Sequence, residues 1–414
     1  MVDPARATLK SAASSRNPLR GGRRIPAARA LLMLGDAEGA DLLESLAKNT
    51  KNRAAHRVAA AAALAGAGDP RGSALLEAFV HDSALSGSHR VEAATQLLRI
   101  AHPKGAELLG ELAADPNLPD SNRVTAAVAL AECGDGRGTA LLDAQAADDQ
   151  FGGGQRLRAA TELTRFAPSR GRDVLCALTV EQRLEDVYRV GAANELTRLR
   201  DPWARDAWAG LAADATLTAG HRVAAARTLQ GLGDPRGADL LAGLAALDGL
   251  PAAQRIRAAS FLMESADPRG ADALNTLAAS PGIDGAHRIE AAAALARFGD
   301  PRGGDALRAL AIASTLAAGH RIAAARVLAE LGDPRGADLL ESLARSRQLE
   351  NSHRLPGSQT RNVSRLLRHW AGSVIPVEPM SCSFWHLTQA GRVATGSMRP
   401  KPWIGWGIRP ASSC

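Results

Sequence analysis

Aromatic residues are nearly missing from this 414-residue chain: six Phe, six Trp and one Tyr, 3% in all. Strands draw on aromatic and β-branched side chains, so a sheet-based fold is disfavoured, and the Ala- and Leu-rich remainder reads as all-α. Cysteine is scarce too. Cys133, Cys176, Cys382 and Cys414 make no CxxC pair and no regular spacing, which argues against a disulfide framework or a zinc site and fits a reducing cytoplasm. No run approaches the roughly 18 consecutive apolar residues of a membrane span. The opening MVDPARATLKSAASSRNPLRGGRR is basic and Ser-rich without the apolar middle of a secretory signal, and residues 1–22 read as a loose tail.

The net charge of +7 invites a nucleic-acid partner, so where the charge lies matters. It lies at the ends. Residues 1–24 hold six bases and one acid, residues 346–414 hold nine bases and two acids, and the stretch between keeps 35 bases against 40 acids.

That middle stretch repeats itself. GHRVAAARTLQGLGDPRGADLL at 220–241 returns as GHRIAAARVLAELGDPRGADLL at 319–340, three periods of 33 residues later. With units counted from the residue equivalent to His221, the starts are Arg23, His56, His89, Asn122, Gln155, Tyr188, His221, Gln254, His287, His320 and His353. An arginine follows every start, from Arg24 and Arg57 to Arg354, and paired alanines such as Ala60-Ala61 and Ala225-Ala226 precede a leucine such as Leu64 or Leu229. Val223, Ala226, Leu229 and Leu232, with Ala225, form the apolar stripe of an amphipathic helix A, and the alanines let a neighbouring backbone approach closely.

Helix A is predicted to end at a glycine able to turn left-handed, as at Gly68, Gly233, Gly299 and Gly332. Asp-Pro pairs follow directly: Asp69-Pro70, Asp201-Pro202, Asp234-Pro235, Asp267-Pro268, Asp300-Pro301 and Asp333-Pro334. Asp suits the N-cap and Pro the first turn of a second helix, B, whose apolar face carries Leu240, Leu241 and Leu244, or Leu339, Leu340 and Leu343. Helices of about 12 residues are marginal alone in water, so stability must come from stacking. The expected organisation is a tail over 1–22, an array of about ten 33-residue helix-turn-helix repeats over 23–355, and a non-repeat tail over 356–414. That last segment holds Trp370, Trp385, Trp403 and Trp406.

The phrase AAxxLxxLGDPRG resembles the HEAT-like repeats of α-solenoids, in particular the short bacterial type named after phycobilisome lyases, over roughly 80% of the chain. The resemblance implies a superhelical scaffold that grips a protein partner on a concave side lined by B helices. Two enzymes of this fold are tested by residues. Deoxyhypusine hydroxylases use His-Glu dipeptides as iron ligands, and the sequence contains none. The alkylpurine DNA glycosylases use a basic channel with aromatic residues, whereas this array is net acidic and poor in aromatics.

Four features tempt a functional reading. The histidines His56, His89, His221, His287, His320 and His353 recur about 8–10 Å apart by helix packing, too far to share a metal with bonds of about 2 Å. Three residues after Ser86, Thr218 or Asp284, they stand where a capping partner stands. The arginine after each start opposes its own helix dipole, and the free carbonyls of a neighbouring B helix, with acids such as Asp115, Asp214 and Asp248, offer compensation. A stripe for phosphates or acidic peptides is the alternative. A second basic column opens the B helices: Arg71, Lys104, Arg137, Arg170, Arg236, Arg269, Arg302 and Arg335, interrupted by Trp203. Glu107, Asp173, Asp239, Asp272, Asp305 and Asp338 lie three residues on, where they can neutralise it. If the array grips a partner, this column with Trp203 as an anchor is the first candidate; Trp208 replaces a core leucine and is expected to be buried.

No Gly-x-Ser-x-Gly, phosphate loop, dinucleotide fingerprint or recurrent carboxylate pair occurs. The expectation is a non-catalytic bacterial-type cytoplasmic scaffold or sensor array with a protein partner and no cofactor. A nucleic-acid partner held by the basic tails is the second reading, and a phycobilin-lyase-type enzyme the third.

Overall fold

The paired alanines, Asp-Pro caps and turn glycines lead to the same hairpin again and again. A computed structural model describes residues 4–14 and 21–345, and every regular element among them is an α-helix. The expectations placed on residues 346–414 fall outside the described residues. The A helices are α2 (Gly21–Met33), α4 (Ala54–Ala65), α6 (Gly87–Arg99), α8 (Asp120–Glu132), α10 (Gly153–Phe166), α12 (Asp186–Arg198), α14 (Ala219–Gly231), α16 (Ala252–Glu264), α18 (Gly285–Arg297) and α20 (Ala318–Glu330). The B helices are α1 (Pro4–Ser14), α3 (Ala37–Lys48), α5 (Pro70–His81), α7 (Gly105–Ala114), α9 (Gly136–Ala147), α11 (Pro168–Val180), α13 (Ala204–Ala213), α15 (Arg236–Ala246), α17 (Pro268–Ala279), α19 (Pro301–Ile312) and α21 (Pro334–Arg345). The chain divides into two units, Met1–Leu339 and Leu340–Cys414. The first carries the array; of the second, only the end of α21 is described.

From α1 to α20 each helix packs on the next along the chain, A helices also pack on A helices, and most B helices on B helices. The result is an α-solenoid of two layers. The alanine pairs are buried in every unit from Ala27-Ala28 to Ala324-Ala325, as are the leucines that follow, from Leu31 to Leu328. Four expected core leucines are only half-buried: Leu232, Leu240, Leu339 and Leu340. Leu232 caps the C-terminus of α14, and Leu240 faces the space between B helices rather than its own A helix; Leu241 and Leu244 are the B-helix residues that fill the core.

Residues 4–14, read from the sequence as part of a tail, form α1, which packs on α2. Ala13 is buried, and Lys10 bridges Asp36 at 3.0 Å and Glu38 at 2.5 Å. The signal was there: Asp3-Pro4 precedes Asp36 by one period and Asp69-Pro70 by two. With Lys10 and Ala13 where α3 carries the core leucines Leu43 and Leu46, α1 escapes a search keyed to apolar spacing.

The capping chemistry is as expected. Asp69, Asp201, Asp234, Asp267, Asp300 and Asp333 each accept the backbone N–H two residues on, at 2.9–3.0 Å. The preceding turn is left-handed at Gly35, Gly68, Gly134, Gly233, Gly299 and Gly332, and in three units the same position holds Ala101, Arg200 and Ala266 at φ of 55–58°. Left-handed backbone costs an L-residue about 1–2 kcal/mol, partly offset by the entropy glycine loses on folding. Ala266→Gly should therefore stabilise the array by about 0.5–1 kcal/mol, read as a rise in the urea midpoint at unchanged slope; a fall would contradict the strain.

A further glycine column, unexplained at the sequence level, holds each hairpin shut. A β-carbon on Gly72 would lie 2.2 Å from Ala65 N, and one on Gly237 2.4 Å from Gln230 N, so helix B crosses helix A backbone to backbone. Ala204 occupies this position in one unit, and its hairpin, α12–α13, is the most open of those from α2–α3 to α18–α19. No helix among the described residues is long and apolar enough to cross a membrane.

Candidate interaction surface

Helix A starts with a cation in its first turn, against its own dipole, and the structure shows what offsets this. In all ten described units the arginine Nε donates to a carbonyl at the C-terminal end of the preceding B helix. The bonds run from Arg24 to Ala13 O (3.1 Å) and Arg57 to Ala47 O (3.0 Å), through Arg189 to Thr179 O (3.0 Å), to Arg321 to Ala311 O (3.2 Å). These carbonyls lack helical partners and carry the negative end of the dipole. The bond ties one unit to the next.

The terminal guanidinium nitrogens then meet acids of the loops. Arg156 grips Glu181 through both nitrogens at 2.8 and 2.7 Å, and Arg189 reaches Asp214 at 2.5 Å; both arginines are buried, at 6% and 2% exposure. Arg90 approaches Asp115 at 3.8 Å and Arg255 reaches Asp248 at 2.9 Å. Arg57 and Arg123 lie over the rings of Phe79 and Phe151. The guanidinium of Arg189 and the hydroxyl and amide of Thr216 hold the Asp214 carboxyl down at about 2.

Three of the histidines bond the side chain of their own helix's N-cap residue. Nδ1 of His89 lies 2.6 Å from Ser86 Oγ, that of His221 2.8 Å from Thr218 Oγ1, and that of His287 2.9 Å from Asp284 Oδ2. His221 also contacts Asp186 of the preceding unit at 3.1 Å.

The basic column of the B helices is neutralised, though by different acids from those expected. Four arginines bind both their own N-cap and an acid of the preceding unit: Arg236 binds Asp234 and Asp206, Arg269 binds Asp267 and Asp239, Arg302 binds Asp300 and Asp272, and Arg335 binds Asp333 and Asp305, all at 2.6–2.9 Å. Asp239, Asp272 and Asp305, expected to pair with the arginine three residues before them, instead receive the arginine of the following unit. Arg71 binds Asp69, Asp41 and Glu44; Lys104 binds Glu77, Arg137 binds Asp135, and Arg170 binds Asp143. The arginines of the cap pairs are driven further above their ordinary range, first by their N-cap carboxylates. Such exposed pairs contribute little stability each.

Trp203 breaks the column, as the sequence implied, and is 56% exposed. Its backbone N–H is held by Asp201 at 2.9 Å, so an indole stands on a fixed helix start among paired charges. Trp208 is buried at 2% exposure and donates Nε1–H to Thr197 Oγ1 at 2.8 Å.

A family model described as HEAT repeats matches residues 277–350. Among solved structures, human deoxyhypusine hydroxylase in complex with glycerol is similar to this chain at 17% identity, covering 76% of this chain and 99% of that chain with a TM-score of 0.25. No curated protein matches the chain.

Proposed function

We propose that this chain, a HEAT-like repeat protein whose array is an α-solenoid, works as a non-catalytic scaffold that holds a protein partner along the repeat surface. The observation that carries this reading is Trp203, an exposed indole at the one position where a neutralised basic column is interrupted. A rigid aromatic side chain on a fixed helix end supplies contact area at low entropic cost, and tryptophan is enriched among residues that dominate interface energies. The paired arginines around it exclude water and reject mismatched partners rather than adding much affinity.

The test begins with a partner captured from native cell extract by the full chain, whose affinity for Trp203→Ala is then measured. A loss of about 2 kcal/mol, roughly thirtyfold, is expected; an unchanged affinity overturns the placement. Retention of the partner by residues 1–352 supports the array as its site. A salt-sensitive gel shift with unspecific DNA, abolished by removing residues 346–414, would support the nucleic-acid reading instead.

A further inference from the structure

The arginine column that ties units together carries a second pattern, visible only where it fails. Twenty-five residues after the arginine stands the C-cap of the same unit's B helix. In five successive units that residue is acidic: Asp82, Asp115, Asp148, Glu181 and Asp214, opposite Arg57, Arg90, Arg123, Arg156 and Arg189. In the next unit the counterpart of Arg222 is Leu247, and for Arg288 it is Ala313. Arg222 Nε still donates to Ala212 O at 3.2 Å and Arg288 Nε to Ala278 O at 3.0 Å. Among the described residues, neither guanidinium has a carboxylate within ion-pair distance of its terminal nitrogens.

Beside Arg222 a groove of about 570 Å³ lies between α13 and α15. Its walls are apolar: Ala209, Ala212 and Ala213 on one side, Leu240, Leu244 and Leu247 on the other. Two other charged residues line it, and both are engaged, Arg236 by Asp234 and Asp206, Asp239 by Arg269. Arg222 is therefore the one lining cation without a carboxylate partner among the described residues. Half-exposed Leu240 and Leu247 face solvent beside it although burial would be favourable.

We propose that this groove binds an acidic, aliphatic segment of a protein partner, a Glu or Asp side chain seating on Arg222 while a neighbouring Leu-type side chain fills the space between α13 and α15. The units before it show that the geometry works. Glu181 on Arg156 and Asp214 on Arg189 are carboxylates held at the equivalent place by the equivalent guanidinium, so the incoming carboxylate does in trans what the chain does there for itself. A carboxylate–guanidinium pair of this kind is charge-assisted and directional, and the apolar walls keep it partly dry. Binding forms no covalent bond. The proposal deepens the scaffold reading and rests on it, by naming the chemistry of the partner at one place on the array.

The test uses the full chain and two synthetic peptides, acetyl-Leu-Glu-Leu-Leu amide and its Gln counterpart, titrated while the Nε–H resonance of Arg222 is followed by NMR. The Glu peptide is expected to shift it saturably, with the Gln peptide at least about tenfold weaker, the loss of one charge-assisted pair. Leu247→Asp supplies the missing internal carboxylate, as in the units before, and should weaken the Glu peptide about tenfold relative to Leu247→Asn, which opens the same space without charge. Equal affinity for the two peptides overturns the proposal, as does equal weakening by the two variants. So does the absence of saturable binding up to about 5 mM, below which a contact of this kind should be seen. None of these outcomes touches the Trp203 test, so the scaffold reading stands or falls separately.

Discussion

Leu229→Ala should lower the unfolding free energy by about 2–5 kcal/mol, the range for truncating a fully buried leucine. Leu229 is fully buried on α14, which packs on α13 and α15 along the chain and on α12 and α16 across units. Shortening it removes the transfer free energy of the lost carbons and leaves a space that backbone-to-backbone hairpins cannot close, because Gly237 already sets α15 against α14. In an array where each unit is stabilised only by its neighbours, the loss is felt on both sides. Urea unfolding of Leu229→Ala against Leu331→Ala, whose side chain is 38% exposed, isolates the burial: the second should fall by less than about 0.5 kcal/mol. Equal effects would contradict the assignment of the core.

Arg189→Met should cost about 3 kcal/mol at neutral pH, the lower end for breaking a buried pair from one side, since Asp214 keeps 19% exposure and can be rehydrated. The substitution preserves length but strands Thr179 O at the end of α11 and removes the main counter-charge of Asp214. The sign of the acid dependence follows from the carboxyl. Its folded value is held at about 2, below the ordinary 3.8, so the ionised pair stabilises the fold fully above about pH 4 and progressively less as pH falls toward 2. The gap between wild type and Arg189→Met is therefore expected to narrow over that interval. A gap that stays constant, or widens on acidification, would show that the pair does not contribute through charge.

Much of this was legible in the sequence because a period of 33 residues multiplies every weak local signal by ten. The buried faces of the A helices, the Asp-Pro caps, the arginine-to-carbonyl bonds with Asp214 and Asp248 beside them, and the contacts of His89, His221 and His287 with their N-cap side chains all follow from residue type and spacing. The same periodicity hid the rest. In a repeat, Asp239 and Asp272 are the same position one unit apart, so a pairing of Arg269 within its helix and one across units look identical in sequence; only the stacked backbone chooses Asp239. The glycine column of Gly72 and Gly237 was visible as recurrence, yet its cause, the close crossing of two backbones, is a property of space and not of spacing. The groove at Arg222 was hidden for the opposite reason. Leu247 on its wall departs from the pattern, and a reading built on what recurs passes over what does not.

The central claim is that the fold is built by accretion, each hairpin burying its leucines and alanines against the next copy. Removing one whole period, residues 221–253, tests it most directly, since the deletion rejoins Gly220 to Gln254 in the same phase of the repeat. The account predicts a protein that still unfolds cooperatively in urea, with the helical circular dichroism per residue unchanged and the denaturant slope reduced in proportion to the surface removed. Loss of helical signal and of the cooperative transition would mean that the leucines share one centre, and would contradict the account.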